Sequence, residues 1–321
     1  MAKTIIRRLL ILIFQLFFIS VFVFFVGNIM PGDVIASLIT EDSTYEEIAH
    51  LREIHGLNYH WHVRYINWMV GIFTEANFGR SITQARSVND LITERAINTI
   101  RLSIATVILI YLVSIPLAII SAKKMGTIID KTILIYSFVI LAIPTVVLAL
   151  INIFTFGIHF SLFPVRGSVN VTVSQGTYLY YLSILHHLAL PAITGALIGT
   201  IGIIFFLRSE LIENQNSDYV ITARSKGVPL RKIYHVHILK NSLLPIVSNF
   251  GSVIAGLLTG SIFIEQVFSF PGVGSLFITS IMSRDFPVVN TLVLIFSFLT
   301  AIGVLIGDIL IVIIDPRIRI K

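Results

Sequence analysis

Few side chains in this sequence could do chemistry, and their placement limits what that chemistry is. The 321 residues include no cysteine, which removes disulfides, thiolate zinc sites and a thiol nucleophile. No serine, histidine and acid stand out as a nucleophilic set, no pair of carboxylates suits acid–base work, and no GxxxxGKS/T stretch is present to cradle phosphate. His186 and His187 are adjacent, just ahead of Pro191, and imidazole suits nickel. Neighbouring residues on a helix point in different directions, so two ligands to one ion are not expected there. Glu265 and Asp308 lie inside apolar runs, where an ionisable group is a functional hypothesis by default. A bond from Asp308 to a basic loop residue is expected, whereas Glu265 is open to a pathway-facing role.

The informative polar segment is basic rather than catalytic. It reads Asp218-Tyr219-Val220-Ile221-Thr222-Ala223-Arg224-Ser225-Lys226-Gly227, then Val228-Pro229-Leu230-Arg231-Lys232, and closes on His237-Ile238-Leu239-Lys240-Asn241. Ala223 and Gly227 stand four apart, which predicts a shared helical face that a second backbone could approach. Pro229 suits the first turn of a short helix exposing Arg231 and Lys232. Two readings fit these residues: a docking surface for a cytoplasmic partner, or a solvated basic hairpin.

Hydrophobic residues make up 55% of the chain and charged residues 12%, about half the charge of a soluble domain. A soluble fold this apolar would expose patches that monomers rarely tolerate. The solvent for most of the chain is therefore lipid. A spanning helix needs about 20 apolar residues, and such runs occur at 9–30, 100–122, 132–157, 188–207, 242–266 and 288–314. The fold class is thus an all-α membrane protein with about six transmembrane helices. The first run is too long for a signal-peptide core and lacks a small-x-small cleavage site, so an uncleaved helix is expected.

Charge predicts the orientation. With a cytoplasmic N-terminus, 15 of the 23 Lys and Arg residues lie on the cytoplasmic side, in short loops and at both termini. That is the positive-inside pattern, and it places both termini in the cytoplasm. The basic residues therefore report topology in the cell membrane, not nucleic acid. Residues 31–99 form the sizeable outer segment. Ser43 with Glu46 reads as a capping box and Gly56 as a stop, predicting a helix near 44–55. A second helix near 60–73 aligns Trp61, Tyr65, Trp68 and Ile72 on one face, either to shape an outer vestibule or to pack as a cap on the bundle. Gly195/Gly199, Gly256/Gly260 and Gly303/Gly307 are pairs that let helices approach closely, and Pro144 predicts a kink.

The basic loop resembles the EAA motif of importer-type ABC permeases, in which a Glu-Ala-Ala stretch precedes a glycine and His-x-Leu-x-Asn closes the loop. Here Ile221 and Thr222 take the first two places and Ala223 keeps the third. The form from Asp218-Tyr219-Val220 through Thr222-Ala223-Arg224 to Lys226-Gly227 is similar to the dipeptide, oligopeptide and nickel permease subfamily. The likeness continues in Pro31-Gly32-Asp33, Leu51-Arg52-Glu53, Gly56-Leu57, Val63-Arg64-Tyr65, Phe78-Gly79-Arg80-Ser81, Val267 to Gly274, Arg284-Asp285-Phe286-Pro287-Val288, and Asp315-Pro316-Arg317-Ile318-Arg319. The long outer segment is similar to the B-type permease, whose C-type partner usually lacks it.

The resemblance implies the type I transmembrane domain of an ABC importer. Its parts would be an N-terminal helix (1–30), an extracellular helical segment (31–99) and a five-helix core (100–321) carrying a coupling loop (208–241). It implies import of dipeptides or oligopeptides, with nickel or another small solute as the alternative; an ion-coupled secondary transporter is a rival reading from outside the resemblance, and internal repeats or charged helices near the midplane, which it would need, are scarce in the sequence. The chain would not be an enzyme and would bind no cofactor, since ATP and Mg belong to partner subunits. Those partners would be a related permease in a heterodimer, two ATP-binding subunits, an extracellular substrate-binding protein and membrane lipid, with no nucleic acid. In the loop, Tyr219 and Thr222 belong to the motif, Gly227 would allow the turn into the coupling helix and Ala223 a close contact. Arg224, Lys226, Arg231 and Lys232 would meet the ATPase around Pro229, while His237 and Asn241 would brace the return.

Overall fold

A computed structural model describes residues 2–29, 35, 38–39 and 43–314. In chain order, α1 (Ala2–Ile29) is followed by two short helices, α2 (Tyr45–Ile54) and α3 (Trp61–Glu75). Next come α4 (Val88–Lys123), α5 (Ile128–Ala142) and α6 (Thr145–Asn152), the last running into a π-helical stretch, Ile153–His159. After α7 (Tyr178–Gln215) lie α8 (Asp218–Ser225) and α9 (Leu230–Lys232), which leads through π-helical Ile233–Ile238 into α10 (Leu239–Gly260). The chain closes with α11 (Ile262–Val267), α12 (Val273–Met282) and α13 (Phe286–Ile314).

Among the described residues four helices are long and apolar enough to cross a membrane, within α1, α4, α7 and α13. A fifth span is counted if the two helices Ile128–Ala142 and Thr145–His159 are one crossing, although they bend by 105°. This bend corrects the expectation of a kinked but continuous helix over 132–157. A proline drives the residue before it out of the helical region, and Ile143 is extended at φ −90, ψ 123, with Pro144 capping the next helix. The run expected at 242–266 is covered by α10 and α11, parted at Ser261.

The chain divides into two compact units, Met1–Thr99 with Pro271–Ala301 and Ile100–Phe270 with Ile302–Lys321. In the first, the aromatic stripe of α3 packs on α1. Tyr65 and Trp68 meet Phe24 at 5.5 and 5.7 Å between ring centres, and Trp61 meets Phe25 at 5.4 Å. Each such pair adds about 0.5–1.5 kcal/mol beyond burial. The polar tips are satisfied as well: the Tyr65 hydroxyl lies 2.9 Å from Ser20 Oγ, and Trp68 Nε1 donates to the Phe78 carbonyl at 3.1 Å. The stripe is thus a packed face of α3 against α1. The capping box sits one residue later than expected, on Thr44 and Glu47 rather than Ser43 and Glu46.

Two of the stretches that carried the family likeness meet in this unit. Asp285 is fully buried and accepts bonds from Ser81 Oγ, Thr83 Oγ1 at 2.7 Å, and the amides of Ile82 at 3.1 Å and Thr83 at 3.3 Å. Beside it, Val88, Leu91, Val273, Leu276, Val288 and Leu292 form a small apolar core.

The second unit is built around α7, whose glycines admit neighbouring helices. A Cβ on Gly199 would strike Ile110 of α4 at 2.3 Å, and one on Gly195 would press Thr106 at 3.0 Å. Gly303 and Gly307 receive α10 at Gly251, where an added Cβ would lie 2.2 Å from the Gly303 carbonyl oxygen. The close approach of α10 is therefore at Gly251; Gly256, half of the expected pair, has nothing within 4 Å of its Cβ position.

Candidate functional site

The loop after α7 folds because its turns are chemically specified. Asp218 lies in the first turn of α8 and Arg224 in the last, each complementing the helix dipole. The helix then stops by a Schellman motif. Gly227, at φ +73, donates its amide to the Arg224 carbonyl at 2.9 Å, and Val228 donates to Ala223 at 3.2 Å. Gly227 thus lies beyond the helix, which corrects the expectation that it shares a helical face with Ala223. The interval of four between them is what this stop requires. Pro229 caps α9 rather than occupying its first turn.

The two faces of the loop do different work. Inward, Val220, Ile233 and Ile238 are buried with Ala118 and Ala122 of α4, Leu207 and Leu211 of α7, and Ile246 of α10. Ala223, Val228 and Tyr234 pack against the same cluster. Ala223 therefore points toward the protein's own helices, and the outward surface comes from other residues. Tyr219, Thr222, Arg224, Lys226, Gly227, Pro229, Arg231 and Lys232 are exposed, while His237 and Asn241 are half-buried. Among the outward residues given no role in the sequence reading, Ile221 is 55% exposed and Leu230 68%. The signal for Ile221 was available, since Val220 and Ala223 define an inner helical face that turns Ile221 away.

Polar contacts fix the loop to its supports. Tyr219 OH donates to Asn214 Oδ1 at 2.6 Å, and Asn214 Nδ2 donates to Ser242 Oγ at 3.1 Å, tying α8, α7 and α10 together. Lys123 Nζ sits 4.2 Å from the centre of the Tyr234 ring, and burial pushes that phenol's pKa up. Nearby, Arg208 of α7 grips Asp130 of α5 with two parallel bonds, Nε to Oδ1 and Nη2 to Oδ2, both 2.8 Å. Neither residue stood out in the sequence beyond its charge.

The other candidates resolve differently. The His186 ring engages the Leu162 carbonyl at 2.8 Å and the His187 ring that of Ser183 at 2.8 Å, with the two rings at 85°. Glu265 is fully buried and accepts a bond from Ser261 Oγ at 2.9 Å. Asp308 is half-buried on α13. Pro31-Gly32-Asp33 and the stretch Asp315 to Arg319 lie outside the described residues.

Residues 114–320 match the family described as binding-protein-dependent transport system inner membrane component, and residues 1–105 match the N-terminal region of such components. The chain is 35% identical over 320 residues to the oligopeptide transport system permease protein AppB of Bacillus subtilis, covering 99% of this chain and 100% of that one. It is 30% identical over 321 residues to the dipeptide transport system permease protein DppB of Lactococcus lactis, covering both chains fully. A probable peptide ABC transporter permease of Sinorhizobium fredii is 31% identical over 320 residues, 99% of this chain and 100% of its own.

Proposed function

Because this chain belongs to the family of inner-membrane components of binding-protein-dependent transport systems, we propose that it is the permease subunit of an ABC importer whose cargo is a dipeptide or oligopeptide. The observation that carries this is the loop after α7. Its inner face is locked onto α4, α7 and α10, and its outer face presents Ile221, Leu230, Arg224, Lys226, Arg231 and Lys232. A surface with exposed apolar residues among cations, on a rigid support, suits a protein partner better than water.

That partner is a separate ATP-binding subunit, one for each of two permeases, and the second permease is a related chain. The substrate reaches the outer face on an extracellular binding protein. Hydrolysis of ATP, with its Mg, belongs to the ATP-binding subunits, and this chain converts their closure into movement of its helices. Both termini and the loop face the cytoplasm. The relatives named for oligopeptide and dipeptide transport support the peptide cargo.

The test is peptide uptake by cells lacking their own importer and supplied with this chain and its partners, wild type against Leu230→Asp. Leu230 is exposed, so the variant is expected to reach the membrane at normal level and lose uptake. Uptake that is the same with and without the chain overturns the peptide reading, and nickel uptake that depends on the chain replaces it. Undiminished peptide uptake in the variant overturns the docking surface.

A further inference from the structure

The docking loop needs more than apolar packing to act as a lever. The cluster beneath it holds Val220 and Ile233 against α4 and α7, but apolar attraction is non-directional. It resists separation of the loop from its supports far better than it resists α7 turning in place. A directional constraint is found one step away. Arg208 stands seven residues before the end of α7 at Gln215, about 10 Å at 1.5 Å per residue. Its guanidinium meets Asp130 through two parallel bonds and also donates from Nε to Ser121 Oγ at 3.0 Å. A planar fork on a carboxylate fixes orientation as well as distance.

Asp130 is only 2% exposed, and every contact it makes binds a different part of the surroundings. Ser121 Oγ donates to it from the last turns of α4, and the Gly126 amide donates at 2.8 Å from the turn joining α4 to α5. Asp130 itself lies in the first turn of α5. One buried carboxylate therefore joins the end of α4, the α4–α5 turn, the start of α5 and the root of the docking loop. Ser121 is also flanked by Ala118 and Ala122, which carry the loop's inner face. Buried ion pairs add little net stability compared with apolar residues of the same size, so stability alone is a weak account of this one.

Resting on the reading of the loop as the ATPase dock, we propose that Asp130 and Arg208 are positioning residues: their pair makes the docking loop and the α4–α5 turn move as one body when the ATP-binding subunits close. The apolar cluster sets how far the loop sits from the helices, and the pair sets its angle. Without the pair, closure rotates the loop and α7 without carrying α4 and α5.

The experiment uses the assembled transporter in lipid vesicles with its ATP-binding subunits and binding protein. Spin labels at Ser225→Cys and Ile135→Cys report the distance from loop to α5, without and with ATP; both positions are exposed. The wild-type distance is expected to stay constant across the two states. In Asp130→Leu with Arg208→Met, which keeps the site filled and uncharged, the distance is expected to change on ATP binding, and peptide moved per ATP to fall about tenfold, a coupling of about 1.4 kcal/mol. Arg208→Lys keeps the charge and loses the fork; it shows the same change to a smaller degree and serves if the double variant does not assemble. A wild-type distance that changes with ATP overturns the proposal, as does an assembled variant with a constant distance and undiminished yield per ATP. A wild type that hydrolyses ATP but moves no peptide counts against the cargo alone, because the distance measurement does not depend on cargo.

Discussion

At Ser269 and Arg284 the backbone sits at φ +46 and +59, in the left-handed region where a side chain costs about 1 kcal/mol or more. Both occupy the position that Gly227 takes after α8. Ser269 donates its amide to the Gln266 carbonyl at 3.2 Å and Phe270 donates to Glu265 at 2.8 Å; Arg284 and Asp285 repeat the pattern onto Ile281 and Ser280. The motif is the same and only the residue at the turn differs. Ser269→Gly is therefore expected to stabilise the protein by up to about 1 kcal/mol, the relief of strain exceeding the added freedom of the unfolded chain. A thermal melt of the detergent-solubilised protein checks this, and a lowered midpoint would refute it. Phe270 next to Ser269 is buried in the core with Phe268 and Ile264, so the turn delivers an anchoring ring.

Among the elements, α5 and α6 depart most from what their sequence promised. With Pro144 replaced by leucine, Ile143 is no longer pushed out of the helical region and the run 132–157 regains a continuous helical pattern. Labels at Ile135→Cys and Ile158→Cys, both exposed, should then move apart by spin-label distance measurement; an unchanged distance would mean that the neighbouring helices impose the 105° bend. Much else was legible. The apolar runs located the spanning helices, Gly56 marked the end of α2, and the stripe of Trp61, Tyr65 and Trp68 marked the packed face of α3. What the sequence did not disclose depends on partners far away along the chain. Asp130 stood just ahead of the apolar run at 132–157 and drew no reading, and Arg208 was one more topological charge, because nothing local joins positions 78 residues apart. The Ser81–Asp285 contact, 204 residues apart, was hidden for the same reason, although each half was visible as a motif. Ala223 and Gly227 were misread because the helical period was extended past the residue that ends the helix.

For the molecule as a whole, the absence of cysteine makes the proposed topology directly measurable. Glu75 and Lys226 are both exposed. A thiol reagent that cannot cross the membrane is expected to label Glu75→Cys on intact cells and Lys226→Cys only after the cells are opened. Labelling of Lys226→Cys from outside would invert the orientation derived from the Lys and Arg distribution.

The loop is one short ribbon of sequence read by two audiences. Val220, Ala223, Val228 and Ile233 answer to the chain's own helices, while Ile221, Thr222, Arg224, Lys226, Leu230, Arg231 and Lys232 face outward. The two sets interleave along the sequence but occupy opposite sides, so mutations in one need not disturb the other. Such an arrangement gives evolution a detachable address label. If the proposed docking role holds, the outward letters can be rewritten to suit a different ATPase while the inward letters go on spelling the same fold.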